Sequence, residues 1–183
     1  MMSKETFFIR GQVTTDHSTQ QRVAGEIDLG AYVNLATSKP QLLRIHSVQQ
    51  QICDSDGLPP AINAATSTTY EVNAFLATAI TTKETVLGTG DMPQLNDDSV
   101  IFSSSINCTT QTRGSNNQGI VSGDLDLAPQ DIRGGILVGV DTLYLYALGD
   151  DAFAEDVNVN FCLECSVEPV SREAAINLAL SQS

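Results

Sequence analysis

Tryptophan is absent from this sequence, and aromatic residues make up only 5% of its 183 residues. Charged residues are also few, at 17%, against a usual value of about 25%. Basic residues are the scarcest, because 9 Lys and Arg face 22 Asp and Glu, which leaves a net charge of −13. Such a charge repels a phosphate backbone, so general nucleic-acid binding is disfavoured.

Long apolar runs and an export signal are missing as well. No stretch approaches the ~18 apolar residues that a membrane-spanning helix needs. Met1–Arg10 has no basic region, apolar stretch or cleavage site of the kind found in a secretory signal. Four cysteines are too few for a disulfide-built fold. Neutral polar residues take the place of the missing charges, since Ser, Thr, Asn and Gln together number 55.

Strand signals dominate what is present. Apolar and polar residues alternate with a period of two, and this alternation predicts eight strands: Thr6–Thr14, Val23–Leu35, Leu43–Ile52, Tyr70–Ile80, Val100–Cys108, Ile120–Leu127, Ile136–Leu148 and Val157–Val167. The segment Val23–Leu35 is either one half-buried strand or two strands in sequence. The phase changes near Ser47, which predicts a bulge or a bend there, and Asp141–Thr142 indicates a break inside the seventh segment. Helical spacing occurs only in Ser171–Leu180, where Ser171 is a candidate cap and Ile176 and Leu180 lie one turn apart.

These strands and their mostly long connections predict an all-β fold, an eight-stranded antiparallel sandwich that is jelly-roll-like, with a short C-terminal helical tail. We find no two-residue hairpin signal of the kind that favours an up-and-down barrel. We expect a single jelly-roll β-sandwich domain over residues 1–170 and a short C-terminal helix or arm over residues 171–183. The shared phase within each strand predicts a core that includes Ile27, Leu29, Val72, Leu76, Phe102, Val138, Val159, Phe161 and Leu163.

The cysteine pair in Cys162-Leu163-Glu164-Cys165 has the spacing of half a zinc site. It lies inside the most regular strand pattern, however, and residues three apart on a strand face opposite sides. Cys53 and Cys108 are far apart in sequence and offer no second pair. We therefore expect that Cys162 and Cys165 share no metal. A disulfide among the four cysteines stays open, because connectivity does not follow from sequence.

Asp-rich segments are the next candidates, as ligands of a divalent cation. Asp54-Ser55-Asp56-Gly57 resembles the start of a calcium loop, but the third early ligand and the final bidentate glutamate are missing. Three further pairs lie elsewhere: Asp97/Asp98, Asp124/Asp126 and Asp150/Asp151. We favour the interpretation in which these residues end strands and solvate turns, so no metal and no cofactor site is expected. A bound cation would instead hold a loop or an interface together.

Catalytic signals are weak. Only His17 and His46 offer a base near neutral pH, and neither a Gly-x-Ser-x-Gly elbow nor a phosphate-binding glycine loop accompanies them. Paired carboxylates for glycoside hydrolysis meet only in the fold, so sequence does not exclude them, but the scarcity of stacking rings disfavours a sugar cleft. We expect no catalytic residues and no enzyme. Asn107-Cys108-Thr109 is a glycosylation sequon, meaningful only on an exported chain.

The layout as a whole resembles that of viral coat proteins of the single jelly-roll type. Eight alternating strands fall within the chain, neutral polar residues are abundant, and Gly25–Leu35 leads through Thr37-Ser38-Lys39-Pro40 into Leu42–Ile52. That segment is similar to the early strands of the small major capsid proteins of membrane-containing icosahedral viruses of archaea and bacteria.

The resemblance implies a structural virion protein, a capsid subunit that assembles through side-to-side interfaces into an icosahedral shell in the host cytoplasm. The expected partners are other copies of the chain and a second capsid protein, with contact to an internal viral membrane. Such a membrane accounts for the negative charge, because the inner wall need not bind the genome. Met1–Arg10 carries only Lys4 and Arg10, unlike a genome-binding arm. Neither direct nucleic-acid contact nor a small-molecule substrate is expected.

Two other functions stay open at this point. An extracellular β-sandwich module that binds a carbohydrate or a protein would be a monomer in solution, and its ligand would raise its melting temperature. A surface-layer or appendage subunit would also assemble, but into sheets or fibres.

Overall fold

The computed structural model describes residues 5–16, 22–58, 60, 69–79, 98–113, 116–121, 134–149 and 153–182. Within these residues the chain forms nine strands and one helix: β1 (Phe7–Thr15), β2 (Arg22–Asp28), β3 (Gln41–Cys53), β4 (Thr69–Ala77), β5 (Val100–Arg113), β6 (Asn116–Val121), β7 (Ile136–Val138), β8 (Thr142–Leu148), β9 (Val157–Pro169) and α1 (Arg172–Ser181). In this part of the chain no helix has the length and apolar character needed to cross a membrane.

The strands pair in a nested, antiparallel order. β1 pairs with β9, β2 with β8 and β3 with β7, so the two halves of the chain run back along each other. This folded ribbon rolls into a four-stranded sheet, in the order β1-β9-β3-β7, and a five-stranded sheet, in the order β2-β8-β4-β5-β6. Such connectivity is that of a jelly roll. It confirms the predicted all-β antiparallel sandwich with a short C-terminal helix.

The seventh predicted segment, Ile136–Leu148, is two strands rather than one. It breaks at the predicted position, beside Asp141, and its halves β7 and β8 belong to different sheets. The chain thus crosses between the sheets here, which raises the predicted count of eight strands to nine in the described part of the chain. β8 lies between β2 and β4 and is buried on both faces, as the nearly continuous apolar pattern predicts.

The second predicted strand, Val23–Leu35, extends too far. β2 ends at Asp28, whose Oδ1 accepts a hydrogen bond of 2.8 Å from the amide of Gly30. The carbonyl of Leu29 then accepts hydrogen bonds from the amides of Tyr32 and Val33, at 2.8 and 2.9 Å. A side-chain hydrogen bond of this kind favours a turn over a strand, so the apolar alternation beyond Asp28 belongs to a turn.

The sixth predicted strand, Ile120–Leu127, is misplaced. β6 covers Asn116–Val121 and pairs with β5, which extends to Arg113. Arg113 lies opposite Asn116, so the two strands pair up to residues that are three apart in sequence, which the residue pattern does not predict. β6 is the last strand of its sheet. A polar sequence suits such an edge as well as it suits a turn, which is why the pattern did not reveal it.

The predicted bulge is present in β3. Its extra residue is His46, because Ile45 and Ser47 pair with consecutive residues of β9. The bulge shifts the core-facing phase from odd-numbered to even-numbered residues, in agreement with the prediction; these residues are Leu43 and Ile45 before the bulge and Val48, Gln50 and Ile52 after it.

The core predicted from the strand phases is confirmed. All nine predicted residues are buried, none with more than 7% of its surface exposed, and they belong to one cluster between the sheets. A second, smaller cluster lies apart from it and contains Phe75 and Tyr146, whose stacked rings have centroids 4.5 Å apart. Phe75 falls in the polar phase of β4, so the alternation alone does not predict its burial.

The C-terminal helix begins as predicted, but it packs through a different face. The Ser171 hydroxyl accepts a hydrogen bond of 3.2 Å from the amide of Ala174, which caps α1. Ala175 is buried in the core, whereas Ile176 and Leu180 are 47% and 71% exposed. Gln182 fastens the end of the helix, because its side chain accepts from the amide of Gly139 and donates to the carbonyl of Leu137, both at 2.8 Å.

Candidate functional site

The outward side of β1, β9 and β3 presents a continuous set of side chains, most of which are polar. Strand register places these side chains in rows that cross the three strands, since each outward residue of β9 pairs with one residue of β1 and one of β3. We call this surface the amide face, and it consists of Phe8, Arg10, Gln12, Thr14, Asn158, Asn160, Cys162, Glu164, Ser47, Gln49 and Gln51.

A groove of 660 Å³ crosses the amide face. Its two walls are neighbouring rows of side chains, which lie about 7 Å apart along the strands: Arg10, Cys162 and Gln49 form one wall, and Gln12, Asn160 and Gln51 form the other. Between the walls lie Gly11, Phe161 and Gln50. The groove is lined mainly by side-chain amides, groups that both donate and accept hydrogen bonds.

Asn158 organises the amide face beside the groove. Its Oδ1 accepts hydrogen bonds from Gln12 Nε2 and Thr14 Oγ1, both at 2.7 Å, and its Nδ2 donates to the Asp54 carbonyl at 3.2 Å. By contrast, Gln49 and Gln51 make no side-chain hydrogen bond to any residue that the structure describes. One part of the face is therefore held in place, while the groove keeps amides available for a partner.

The amide face also has one exposed aromatic side chain. Phe8 is 53% exposed, and the guanidinium of Arg10 lies 5.9 Å from the centroid of its ring. This distance falls within the range of a cation–π contact. The contact positions Arg10 at the groove wall, and the described residues hold no ion-pair partner for it.

Charge is balanced on this side of the sheet. Among the described outward residues of β1, β9 and β3, Arg10 and Arg44 stand against Glu164 and Glu168. The chain as a whole carries −13. A second negatively charged molecule is therefore repelled less by this surface than by the average surface of the protein.

Arg44 holds the beginning of β3 in place. Its guanidinium forms a two-pronged ion pair with Glu168 of β9, with Nε–Oε1 and Nη2–Oε2 distances of 2.8 and 2.9 Å. Its Nη1 donates to the carbonyls of Gly134 and Gly135, which precede β7. Three neighbouring elements are thus tied to one side chain, which indicates a structural role.

His46, a candidate catalytic base, is paired with a serine that substrate does not reach. His46 Nε2 lies 2.8 Å from Ser166 Oγ, and Ser166 is completely buried. A nucleophile must contact its substrate, so this pair anchors the bulge instead. The other candidate base, His17, lies outside the described residues.

The two cysteines of the Cys162-Leu163-Glu164-Cys165 segment lie on opposite sides of β9. Cys162 is half-buried in the groove wall, while Cys165 is fully buried in the core. Burial raises the pKa of the Cys165 thiol to about 12, with smaller contributions from Cys162 and Glu164, so this thiol stays protonated at neutral pH. Cys53, Cys162 and Cys165 are free thiols. Cys108 lies in β5, and its side chain is outside the described part.

We expect no zinc bound between Cys162 and Cys165, because their side chains point away from each other and the Cys165 thiolate is disfavoured. Elemental analysis of the full chain purified with zinc in the buffer tests this, with the Cys162→Ser and Cys165→Ser variants as controls. One zinc per chain, lost in both variants, would show that the expectation is wrong.

Asp54 is engaged within its own loop. Its Oδ1 accepts hydrogen bonds from the amides of Asp56 and Leu58, at 2.9 and 2.8 Å, which closes the turn after β3. Asp98 is exposed. The remaining acidic candidates lie outside the described residues: Asp97, Asp124, Asp126, Asp150 and Asp151. The described part of the chain contains no group of three or more side chains suited to hold a metal ion. Asn107 of the sequon lies in β5, opposite Glu71.

Sequence reasoning missed a polar contact between the two sheets. Ser104 of β5 donates to Gln50 Oε1 of β3 inside the sandwich. Gln50 Nε2 is buried and has no partner among the described residues. The phase of β3 does place Gln50 toward the core, and a polar residue in a core phase is the signal from which such a contact can be suspected.

No protein-family model matches the chain, and no characterised protein matches it in sequence. Among solved structures it is similar to VP1 of New Jersey polyomavirus, with 9% identity and a TM-score of 0.45 over 91% of this chain and 100% of that chain. The chain is also similar to VP1 of trichodysplasia spinulosa-associated polyomavirus, which was solved with sialylated glycooligomers. The identity is 9% and the TM-score 0.47, over 91% of this chain and 95% of that chain. Merkel cell polyomavirus VP1, solved with GD1a oligosaccharide, has 8% identity and a TM-score of 0.41 over 90% and 96%. Similarity at this level assigns no function to the chain.

Proposed function

We propose that this chain is a structural subunit of a viral capsid, a virion protein that works by assembling with copies of itself. The observation that carries the proposal is the wide amide face on a jelly roll whose overall charge is strongly negative. Amide side chains form hydrogen bonds across a contact without the desolvation penalty of buried charges. A charge-balanced face lets like-charged copies approach.

We further propose that the subunits form the icosahedral shell of a membrane-containing virus of archaea or bacteria. This shell assembles in the host cytoplasm. A second capsid protein and an internal membrane are the further partners, and the genome is not contacted directly. The net charge of −13 supports the last point. Residues 1–170 form the jelly-roll domain of the subunit, and residues 171–183 form its C-terminal arm.

The proposed subunit works without a catalytic residue, metal or cofactor. Three local observations support this part of the proposal. Ser166 is buried beside His46, Cys165 is held as a thiol, and the Asp54 carboxylate is turned to the amides of its own loop.

Assembly is expected to strengthen as ionic strength rises. The −13 charge opposes close packing of copies at low salt, and screening weakens that repulsion, because the Debye length falls from about 30 Å at ~10 mM salt to about 3 Å at ~1 M. Calcium is expected to act further by bridging carboxylates such as Asp97, Asp98, Asp150 and Asp151. Light scattering and negative-stain microscopy across a salt series and a calcium series measure both effects. Sodium chloride of the same ionic strength is the control for the calcium series.

A chain that stays monomeric under all these conditions, also when mixed with the products of neighbouring genes, would contradict the proposal. In that case the function to test is an extracellular binding module, which the amide-lined groove favours. A ligand of such a module is expected to raise the melting temperature of a monomer. Extended sheets or fibres in place of closed shells would instead indicate a surface-layer or appendage subunit.

A further inference from the structure

The amide face combines a protruding aromatic side chain with a groove close to it. Phe8 is 53% exposed, and the groove crosses the same face three residues further along β1, at Gly11. At protein interfaces, aromatic anchors typically fill pockets on the partner surface. Two copies of the surface can therefore satisfy each other, which is the requirement for a two-fold symmetric contact.

We propose that the amide face is the interface between two copies of this chain, related by a two-fold axis, with Phe8 of each copy seated in the groove of the other. This inference rests on the proposed function and names the surface through which the subunits associate.

The register of β1 is compatible with this arrangement. In a two-fold contact between faces, the axis lies in the plane of the interface, and an axis perpendicular to β1 reverses the direction of the strands. An axis that crosses β1 between Ile9 and Arg10 places residue 8 of one copy opposite residue 11 of the other. Both Phe8 rings then meet a groove at the same time, and the amides of Gln49 and Gln51 lie near the partner surface.

Charges on the amide face favour the same pairing. Glu164 lies opposite Phe8 in the strand register, so the two-fold axis places it on the strand next to Arg10 of the other copy, one residue further along. Two opposite-sign contacts then offset the approach of the two Arg10 side chains at the axis. The remaining wall residues are Cys162 and side-chain amides, and amides pair with amides because each both donates and accepts.

The area of this side of the sheet approaches that of a specific contact. β1 has 9 residues, and β9 and β3 have 13 each, which corresponds to about 30 Å and about 43 Å of strand at a spacing of about 4.8 Å between strands. The projected area is about 550 Å², before the relief of the side chains is counted. Stable interfaces bury about 600–1,000 Å² on each partner.

Two variants of the full chain test the interface by sedimentation equilibrium at several salt concentrations. Phe8→Ala removes the anchor, and Gln51→Glu places a carboxylate in the groove wall of both copies. Each is expected to raise the dimer dissociation constant about tenfold or more. Matched controls are Leu58→Ala, another exposed apolar residue, and Asn177→Asp, another exposed amide. Both controls are expected to leave the constant within about twofold, as changes outside an interface do.

The native Cys162 thiol gives a second measurement. It is half-buried in the groove wall, so a seated Phe8 is expected to slow its alkylation by a bulky maleimide. Phe8→Ala is expected to restore fast alkylation at concentrations where the unaltered chain is dimeric. Unchanged melting temperatures of all variants would show that changes in the dissociation constant and in the alkylation rate do not result from a loss of folding.

The outcomes separate this inference from the proposed function. Copies that associate with the same affinity in both variants would show that the interface is wrong while assembly stands. An unaltered chain that is monomeric at every salt concentration would overturn assembly and the interface together. A monomer whose melting temperature rises with maltose or cellobiose, and no longer rises in Gln51→Glu, would assign the groove to a small ligand.

Discussion

Phe161→Asp is expected to prevent stable folding. Phe161 is 1% exposed and lies between the sheets, where its ring meets Phe102 edge-on at a centroid distance of 6.2 Å. An unpaired carboxylate at this position loses its hydration, and the lost ring leaves a cavity. The combined cost is about 5 kcal/mol or more, comparable with the whole stability of a typical domain, which is about 5–15 kcal/mol.

Asn160→Asp is the matched control, because it introduces the same group one residue away on the outward side of β9. Asn160 Nδ2 donates a hydrogen bond of 3.2 Å to Cys53 Sγ, and we expect the loss of this bond to change the free energy of unfolding by about 1 kcal/mol. Soluble yield, far-ultraviolet circular dichroism and urea unfolding compare the two variants. A Phe161→Asp protein with native solubility and an unchanged urea midpoint would contradict the assignment of this residue to the core.

Gly135→Ala is expected to destabilise the sandwich more than the same change at Gly134. Both glycines have left-handed backbone angles, with φ of +73° at Gly135 and +84° at Gly134. A Cβ at Gly134 meets nothing within 4 Å, whereas one at Gly135 lies 2.7 Å from the Ile45 carbonyl oxygen and 2.9 Å from Arg44 Cγ. Gly134→Ala therefore has only the conformational cost, about 1 kcal/mol. Gly135→Ala adds a clash with the backbone of β3, for about 3 kcal/mol in total.

Urea unfolding of the two variants at one pH and temperature measures this difference. The Ile45 carbonyl belongs to a strand that is paired on both sides, with β7 and with β9, so it cannot move away cheaply. Equal free energies of unfolding for Gly134→Ala and Gly135→Ala would contradict this expectation. They would show that the backbone before β7 shifts enough to admit a Cβ beside the Ile45 carbonyl and Arg44.

Local patterns determined which residues lie in the core and where two irregularities occur. Ile27, Val72 and Phe161 were identified from period-two alternation alone, because successive side chains of a strand point to opposite faces. The bulge at His46 and the break beside Asp141 left marks in the same pattern, since each changes the phase or interrupts the apolar run. Strand ends were determined less well. The alternation continues from Leu29 to Leu35 without a strand, and the polar Asn116–Gly119 segment forms one.

Tertiary structure alone decided which of these strands meet. Gln12 and Asn158 are separated by 146 positions and share a hydrogen bond of 2.7 Å, and Arg44 reaches Glu168 across 124 positions. Contacts of this kind leave no trace in local periodicity, because the alternation reports only the side of a strand on which a residue lies. The groove and its nearness to Phe8 depend on the pairing of β1, β9 and β3 in one register. By itself, the sequence therefore determined an all-β sandwich and its core, whereas the nested pairing of the strands created the amide face.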